Sequence, residues 1–145
     1  MEVCTLGGFE EVGKNMTAVK IGEDVFIFDA GLYLPPVIEM QETEPQVPGQ
    51  NYTEQKLRKI GAIADDLVLE KAGWKDKVRA IIIGHAHLDH IGGLPYITHR
   101  YPNAQIIATP FTMAFFNSLL EDNRMISKNK QTILKGNSSM KIKGH

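Results

Sequence analysis

Cysteine is nearly absent from this sequence, which contains a single one, Cys4, among 145 residues. One thiol cannot form an internal disulfide, and a closed structural zinc site built from several thiolates is excluded. We expect Cys4 to be a buried thiol because it lies in the apolar run Val-Cys-Thr-Leu. An apolar run of about 18 residues is also missing, so the sequence offers no transmembrane helix.

Neither sign of charge dominates, since the chain has 16 basic and 17 acidic residues and a formal net charge of -1. The basic excess typical of nucleic-acid-binding domains is missing, which neither supports nor excludes such a partner. A hydrophobic content of 43% and a charged content of 23% predict one soluble globular unit over residues 1–145. No signal peptide is evident, and we expect a cytoplasmic protein without a membrane partner.

Four potential metal ligands occur within six residues, directly after an apolar run at residues 78–83. That run contains three consecutive isoleucines and predicts a strand buried on both faces of a sheet. Because side chains of an extended backbone alternate, His85 and His87 should point the same way. We expect Asp89 to cap a helix that begins with His90, which brings both residues beside the first pair.

The donor set of this cluster is three imidazoles and one carboxylate. An isolated histidine after a strand is usually a solvated or hydrogen-bonded loop residue, but three histidines and an aspartate at this spacing favour a metal site. Imidazole and carboxylate suit zinc, with manganese as the second choice. A site of this kind with water in its remaining positions is hydrolytic in its chemistry.

A second carboxylate, Asp29, follows the apolar residues 25–28. An unpaired carboxylate at the end of a buried strand is costly, so Asp29 needs a partner, although Asp-Ala-Gly could also be a simple turn. Strands are predicted before it at residues 1–6 and 16–21, separated by a glycine-rich loop at residues 7–15.

The segment of residues 33–55 has little periodicity and four prolines, so we expect a long loop near the site, for which disorder is favoured over a lid or partner contact. Residues 53–60 and 62–72 are predicted to be helical. The expected core residues of the second of these helices are Ile63, Leu67 and Val68.

Beyond the ligand cluster, the helical spacing predicts one buried face formed by Leu94, Ile97 and Tyr101. Residues 105–108 are a further predicted strand, after which Thr109 and Pro110 begin a helix. Its expected core residues are Phe111, Phe115, Phe116, Leu119 and Leu120. Weak strands are predicted at residues 131–134 and 140–142.

The pattern His-x-His-x-Asp-His resembles the second motif of the metallo-β-lactamase superfamily, and Asp29 is similar to its first-motif aspartate. The resemblance implies an α/β fold, an αββα sandwich of which this chain supplies the amino-terminal half. The pattern is specific for the fold and unspecific for the substrate.

Several stretches together resemble the amino-terminal part of the ribonuclease J family in its archaeal form. They are Leu-Gly-Gly-Phe-Glu-Glu-Val-Gly-Lys-Asn-Met at residues 6–16, Phe-Asp-Ala-Gly at 28–31, Gly-His-Ala-His-Leu-Asp-His-Ile-Gly-Gly-Leu-Pro-Tyr at 84–96, and Ile-Ala-Thr-Pro at 107–110. Members of this family are β-CASP nucleases that use two zinc ions to hydrolyse RNA as 5′-to-3′ exonucleases, endonucleases or both.

The resemblance implies a role for each residue of the cluster. His85 and His87 would hold the first zinc ion. Asp89 and His90 would hold the second, and Asp29 would orient a histidine ligand without binding metal. Water activated by the two ions would attack phosphorus, so that no protein nucleophile is required.

Further elements of that family, including a third-motif histidine, a bridging aspartate and the β-CASP domain, are not found in this sequence. His145 lacks the preceding apolar strand that should deliver such a ligand, and His99 is predicted on the polar face of a helix, so neither is assigned. We therefore expect a fragment that is inactive and either metal-free or partly occupied. Because one apolar sheet face would then be uncovered, we also expect a homo-oligomer.

Two alternatives to an RNA-degrading enzyme remain. One is another hydrolase of the superfamily, such as a glyoxalase II-like thiolesterase, and the other is a non-catalytic module that binds a metal or a partner. The loop at residues 7–15 favours the nuclease, because the ligand cluster by itself does not distinguish these hydrolases.

Overall fold

The strands of this chain form one sheet in which spatial order follows chain order. The computed structural model describes residues 1–43, 51–142 and 144–145. In this part of the chain the six strands are β1 Glu2–Gly7, β2 Met16–Ile21, β3 Asp24–Phe28, β4 Val78–Ile82, β5 Gln105–Ala108 and β6 Gln131–Ile133. The predicted strands at residues 1–6, 16–21, 25–28, 78–83, 105–108 and 131–134 are thereby confirmed.

The pairing of the strands changes from antiparallel to parallel at β3. Strands β1, β2 and β3 form an antiparallel meander, and β3 to β6 are parallel. A parallel pair needs a crossover, and helices provide one here between each pair of successive parallel strands. Since Phe28 pairs with Ile82 in parallel register, the chain leaves β3 and β4 at the same edge. That edge carries Asp29 and the histidine cluster.

The α-helices of the described residues pack on one face of the sheet. They are α1 Leu34–Thr43, α2 Glu54–Lys59, α3 Leu67–Lys71, α4 Leu88–Ile91, α5 Leu94–Ile97 and α6 Pro110–Asp122. The α6 cap is as predicted, since the Thr109 hydroxyl accepts a hydrogen bond from the Thr112 amide. One helix layer on one sheet is the half of an αββα sandwich that the sequence predicts. None of the helices in the described ranges has the length and apolar content needed to cross a bilayer.

The face beneath the helices holds the main core. Side chains from strands β1 to β5 and from helices α1 to α6 form one continuous cluster. It includes Ile27, Leu57, Ile81, Ile106 and Phe116. A buried carboxylate, Asp66, lies at its margin. It accepts hydrogen bonds from Arg58, from Arg100 at 3.1 Å and from the Tyr101 hydroxyl at 2.5 Å, so the charge is paired.

The opposite face has only a small buried cluster of Phe26, Ala80 and Ile107. The carboxyl-terminal segment covers it through Met140 and Ile142. Further along the same face Val3 is 58% exposed and Phe28 43% exposed. The predicted strand at residues 140–142 is wrong, since this segment packs across the sheet without pairing in it.

The prediction of a disordered loop at residues 33–55 is also wrong in part, because residues 34–43 form α1. Pro35 and Pro36 occupy its first turn, where a missing amide hydrogen removes no intrahelical bond. Val37 and Met40 are buried beneath it. The prolines at positions 45 and 48 lie outside the described residues.

The predicted helix at residues 62–72 is mostly absent. Ile63 instead forms an isolated bridge with Leu32, and helical structure is limited to α3. Within α3 the buried residue is Leu69, whereas Leu67 and Val68 are exposed. The inward-facing Asp66 directly before α3 sets this orientation, because its carboxylate must reach the two arginines.

Three smaller predictions also differ from the structure. Asp89 lies inside α4 instead of capping it, since the position before the helix is occupied by His87. The buried side of α6 includes Met113, Phe116 and Leu120, and Phe111 is 74% exposed. Cys4 is only partly buried. In contrast, Leu94, Ile97 and Tyr101 are buried as predicted.

Candidate metal centre

The site begins where β3 and β4 end. The Asp29 amide donates to the Ile82 carbonyl at 2.9 Å, which extends the parallel ladder by one bond. Asp29 then adopts a φ of +61°, a left-handed conformation that is unfavourable for a residue with a side chain. This turn points the carboxylate along the edge of the sheet, where Oδ1 accepts a hydrogen bond from the Gly84 amide at 2.8 Å.

The other Asp29 oxygen contacts a histidine. Oδ2 lies 2.8 Å from Nδ1 of His90. A carboxylate can only accept, so Nδ1 must carry the proton, and the Nε2 lone pair is left available for a metal. The pair shows the partner that the sequence analysis required for Asp29, and it orients the ring as a carboxylate orients a metal-ligating histidine.

His85 and His87 lie at the same edge with exposed side chains, and His87 directly precedes α4. One ligand atom from each of His85, His87 and Asp89 can be chosen so that all three lie within 4.8 Å of one another. The ring centroids of the two histidines are 4.6 Å apart, and the His85 ring lies 4.0 Å from that of His90. Small rotations of the exposed imidazoles would bring the three donor atoms around one ion.

The ligand atoms of Asp89 and His90 also lie close together. Oδ2 of Asp89 lies 3.3 Å from Nε2 of His90. Two ligand atoms that each lie about 2.1 Å from a tetrahedrally coordinated zinc ion are about 3.4 Å apart. The donor types and this spacing therefore fit a zinc ion between the two side chains. Asp89 thus belongs both to this pair and to the group with His85 and His87.

Glycine is required where the segment after Asp29 crosses α4. A Cβ atom added to Gly31 would lie 1.7 Å from the Asp89 carbonyl oxygen, a distance that no side chain can occupy. The backbones are joined here by hydrogen bonds from the Ala30 amide to the His90 carbonyl at 2.8 Å and from the Leu32 amide to the Leu88 carbonyl at 2.8 Å. The ligand-bearing helix is therefore fixed on β3 as well as on β4.

Asn15, the last residue of the glycine-rich loop and not among the predicted site residues, also contacts the site. Its side-chain amide donates to the Asp89 carbonyl at 3.0 Å and lies 3.3 Å from Oδ2 of Asp89. Hairpin register could have identified it. A two-residue turn between β2 and β3 pairs Ile21 with Asp24, and counting back along both strands places Asn15 opposite Ala30.

A groove of about 520 Å³ opens beside the exposed histidines. Its walls are formed by the residues around His85 and His87 and by the first turns of α6, including Thr109, Phe111 and Phe115. This volume falls in the range of small-molecule or nucleotide binding sites.

The two histidines left unassigned lie away from this edge. His99 is paired with Glu54 at 3.1 Å. His145 lies 3.3 Å from Asp24, at the opposite end of β3 from Asp29, and its ring contacts Phe26. Neither ring contacts the cluster formed by His85, His87, Asp89 and His90.

Comparison with known proteins places the site in a family. The model of the metallo-beta-lactamase superfamily matches residues 10–140, which include every residue of the site described above. Ribonuclease J of Methanocaldococcus jannaschii is 34% identical over 143 residues, which are 98% of this chain and 30% of that protein. Ribonuclease J of Pyrococcus abyssi is 41% identical over 118 residues, 81% of this chain and 24% of that protein.

The chain thus spans less than a third of the length of these two curated relatives. Among solved structures, a protein of unknown function from Enterococcus faecalis V583 superposes with a TM-score of 0.62 at 19% identity, over 97% of this chain and 35% of the other. That likeness concerns the fold alone. The family match over most of the chain, together with the ligand cluster at the edge of the sheet, establishes that this chain belongs to the metallo-β-lactamase superfamily.

Proposed function

We propose that this chain is the amino-terminal part of a zinc-dependent ribonuclease that hydrolyses RNA phosphodiester bonds as a 5′-to-3′ exonuclease, an endonuclease or both. The observation that carries the proposal is the pair of Asp89 Oδ2 and His90 Nε2 at 3.3 Å, with Nδ1 of His90 held by Asp29. The choice of RNA is supported by the similarity to two proteins named ribonuclease J over 98% and 81% of the chain.

In this proposal each side chain has one task. His85 and His87 hold one ion, and Asp89 and His90 hold a second, with zinc preferred and manganese possible for this donor set. Metal ions in such a site act as Lewis acids and bring a water molecule within reach of ionisation near neutral pH. Asp29 is a positioning residue, since its two oxygens hold the His90 ring and the Gly84 amide. The groove beside His85 and His87 accommodates the substrate.

The proposal also includes the partner, the cellular location and the self-association of the protein. RNA is the proposed partner of the complete enzyme, and its proposed location is the cytoplasm. We further propose that the isolated chain forms a homo-oligomer through the sheet face that carries Val3 and Phe28, because apolar side chains remain exposed there.

A chimera tests the proposed function. The chain would replace the matching 30% of the Methanocaldococcus jannaschii relative, and cleavage of end-labelled RNA would be followed with added zinc. We expect cleavage that is lost with His87→Ala and retained with His99→Ala, a histidine that pairs with Glu54 outside the site. A folded, zinc-loaded chimera that leaves RNA intact and hydrolyses a thiolester would overturn the proposal.

The isolated chain provides a second measurement. We expect less than one zinc ion per chain after dialysis and no RNA cleavage, because few ligands hold each ion and no further domain positions the RNA. Elemental analysis that finds one or two tightly retained ions, or zinc-dependent cleavage abolished by His87→Ala, would contradict this expectation.

A further inference from the structure

We propose that Asn15 is a positioning residue of the metal centre, which holds the Asp89 carboxylate and the His90 imidazole in the arrangement that receives a cation. This inference rests on the proposed metal-dependent function and assigns a role to the glycine-rich loop at residues 7–15. It does not concern the ligands themselves.

The backbone of Asn15 is fixed on two sides. Its amide donates to the Asp89 carbonyl at 3.0 Å, and its carbonyl accepts from the Gly31 amide at 3.0 Å. Asn15 therefore lies between the segment after β3 and helix α4. The side chain has little freedom to leave this place, since its amide group donates to the same Asp89 carbonyl at 3.0 Å.

The side-chain amide nitrogen faces three acceptors. Besides the Asp89 carbonyl, it lies 3.3 Å from Oδ2 of Asp89 and 3.4 Å from Nε2 of His90. An amide group has two hydrogens, so one serves the carbonyl and the other is shared between the carboxylate and the imidazole. These are the two atoms that face each other at 3.3 Å.

That shared hydrogen has a physical consequence. A carboxylate oxygen and the lone pair of an imidazole nitrogen repel each other when nothing positive lies between them. The partial positive charge of the Asn15 N–H group offsets this repulsion, so the two ligand atoms can converge before a metal binds. Once a cation is present, the same N–H group continues to hold the carboxylate oxygen and restricts its rotation.

The rest of the loop makes room for this asparagine. A Cβ atom added to Gly8 would lie 2.2 Å from Oδ1 of Asn15 and 2.9 Å from its Cα atom. Gly8 also has a φ of +85°, which L side chains rarely adopt. The glycine therefore allows the loop to close against the side of Asn15 that faces away from the ligands, which leaves the donor side directed at Asp89 and His90.

The test compares Asn15→Ala with Asn117→Ala in the 145-residue chain. Asn15→Ala removes the side-chain bonds and keeps the backbone bond to Asp89. Asn117 is a matched control, because its amide bonds an exposed glutamine, Gln131, outside the metal centre. Cobalt(II) chloride is the probe, since its visible absorption spectrum reports the ligand set around the ion. Urea unfolding of each variant checks that the fold is kept, and Asn15→Leu repeats the test with a side chain of similar size.

We expect Asn15→Ala to weaken cobalt binding about 10-fold to 100-fold and to change the visible spectrum, as is typical when a partner of a metal ligand is removed. Asn117→Ala should leave both unchanged. Unchanged affinity and spectrum in a folded Asn15→Ala chain would overturn the proposal.

A metal-free measurement keeps the two proposals separate. In NMR spectra of the chain without metal, Asn15→Ala should shift the ring resonances of His90 and the carboxyl resonance of Asp89, whereas Asn117→Ala should not. If the chain bound no cobalt, the metal-dependent function would fail, and these resonances would still decide the role of Asn15. Resonances that stay in place in Asn15→Ala would show that it positions neither group.

Discussion

The two faces of the sheet belong to the same strands, and both carry apolar side chains, but their surroundings differ. In β3, Val25 and Ile27 point into the helix-covered core, whereas Phe26 and Phe28 point to the other face. Helices α1 to α6 cover the first face. Among the described residues, cover on the second face is limited to the surroundings of Phe26, where the carboxyl-terminal segment packs, and Phe28 remains 43% exposed. Burial in this chain is thus decided by the neighbours of a strand more than by its composition.

Charged groups on the two faces also differ in how deeply they are buried. Asp66, on the helix side, is fully buried between two arginines and a tyrosine. Burial lowers the pKa of Arg58, but the charges and hydrogen bonds of Asp66 and Glu54 together raise it above its ordinary value, so the guanidinium stays charged. On the other side Asp24 pairs with Arg79 and His145 while all three remain partly accessible to solvent. The first cluster is part of the core, and the second is closer to a surface ion pair.

The largest difference between the faces is expected from matched phenylalanine truncations. Phe116→Ala removes a fully buried ring from the helix-covered core, and we expect it to lower the free energy of unfolding by about 3 to 5 kcal/mol. Phe28→Ala should cost about 1 kcal/mol or less, because much of that ring already contacts water. Urea unfolding measures both. Equal losses would show that the second face is covered in solution, and Phe116→Leu serves if the alanine variant does not fold.

The two aspartates extend the comparison to charge. Asp66→Asn leaves two partly buried arginines without the fully buried carboxylate that pairs with them, and we expect a loss of about 3 to 5 kcal/mol in the free energy of unfolding. Asp24→Asn should change it by at most about 1 kcal/mol, since solvent screens that pair. Chemical denaturation of both variants at neutral pH is the measurement. A mild effect of Asp66→Asn would mean that water reaches the cluster.

Self-association should depend on the exposed face alone. Phe28→Ser removes apolar surface that the proposed homo-oligomer would bury, at roughly 1 kcal/mol per protomer, which predicts about a tenfold or greater weakening of a symmetric dimer. Sedimentation at micromolar concentration is the measurement, and Phe111→Ser is the control on the helix side. A well-folded monomer that binds no hydrophobic dye would refute the association itself.

The smallest expected effect develops only at alkaline pH and belongs to the helix-covered side. Burial, with a further contribution from nearby Tyr52, raises the pKa of Tyr96 from 10.0 to about 12. Burial, followed by the Asp66 charge, also raises the pKa of Tyr101. The unfolded chain releases these protons near pH 10 and the folded chain does not. The stabilisation is therefore complete below about pH 10 and is lost as the pH rises toward 12.

Unfolding of the wild type and of Tyr96→Phe at about pH 9 and about pH 11 isolates this contribution. The variant loses the hydrogen bond to Asn123 at both values, so only the slope between them reports ionisation. We expect a shallower decline in Tyr96→Phe. Equal slopes would indicate that the phenol of Tyr96 ionises as readily in the folded chain as in the unfolded one.

Short-range patterns were enough to predict most of the strands and the start of α6. Three isoleucines in a row and a Thr-Pro cap carry their structural meaning within a few residues. Predictions were wrong where distant residues set the outcome. Residues 34–43 become helical because Val37 and Met40 are buried beneath the helix, and residues 62–65 stay non-helical because Leu32 pairs with Ile63 and the carboxylate of Asp66 must reach Arg58 and Arg100.

The candidate site shows the same division between what local sequence predicts and what distant contacts decide. By itself the sequence determined the candidate donor set at His85, His87, Asp89 and His90, because these residues follow one strand and local backbone geometry keeps them together. Only the tertiary structure decided which atoms face each other. Asp29 meets His90 through the parallel pairing of β3 with β4, and Asn15 meets Asp89 from 74 residues away through the β2–β3 register. Such contacts depend on strand pairing and packing across the whole sheet, which no short stretch of sequence specifies.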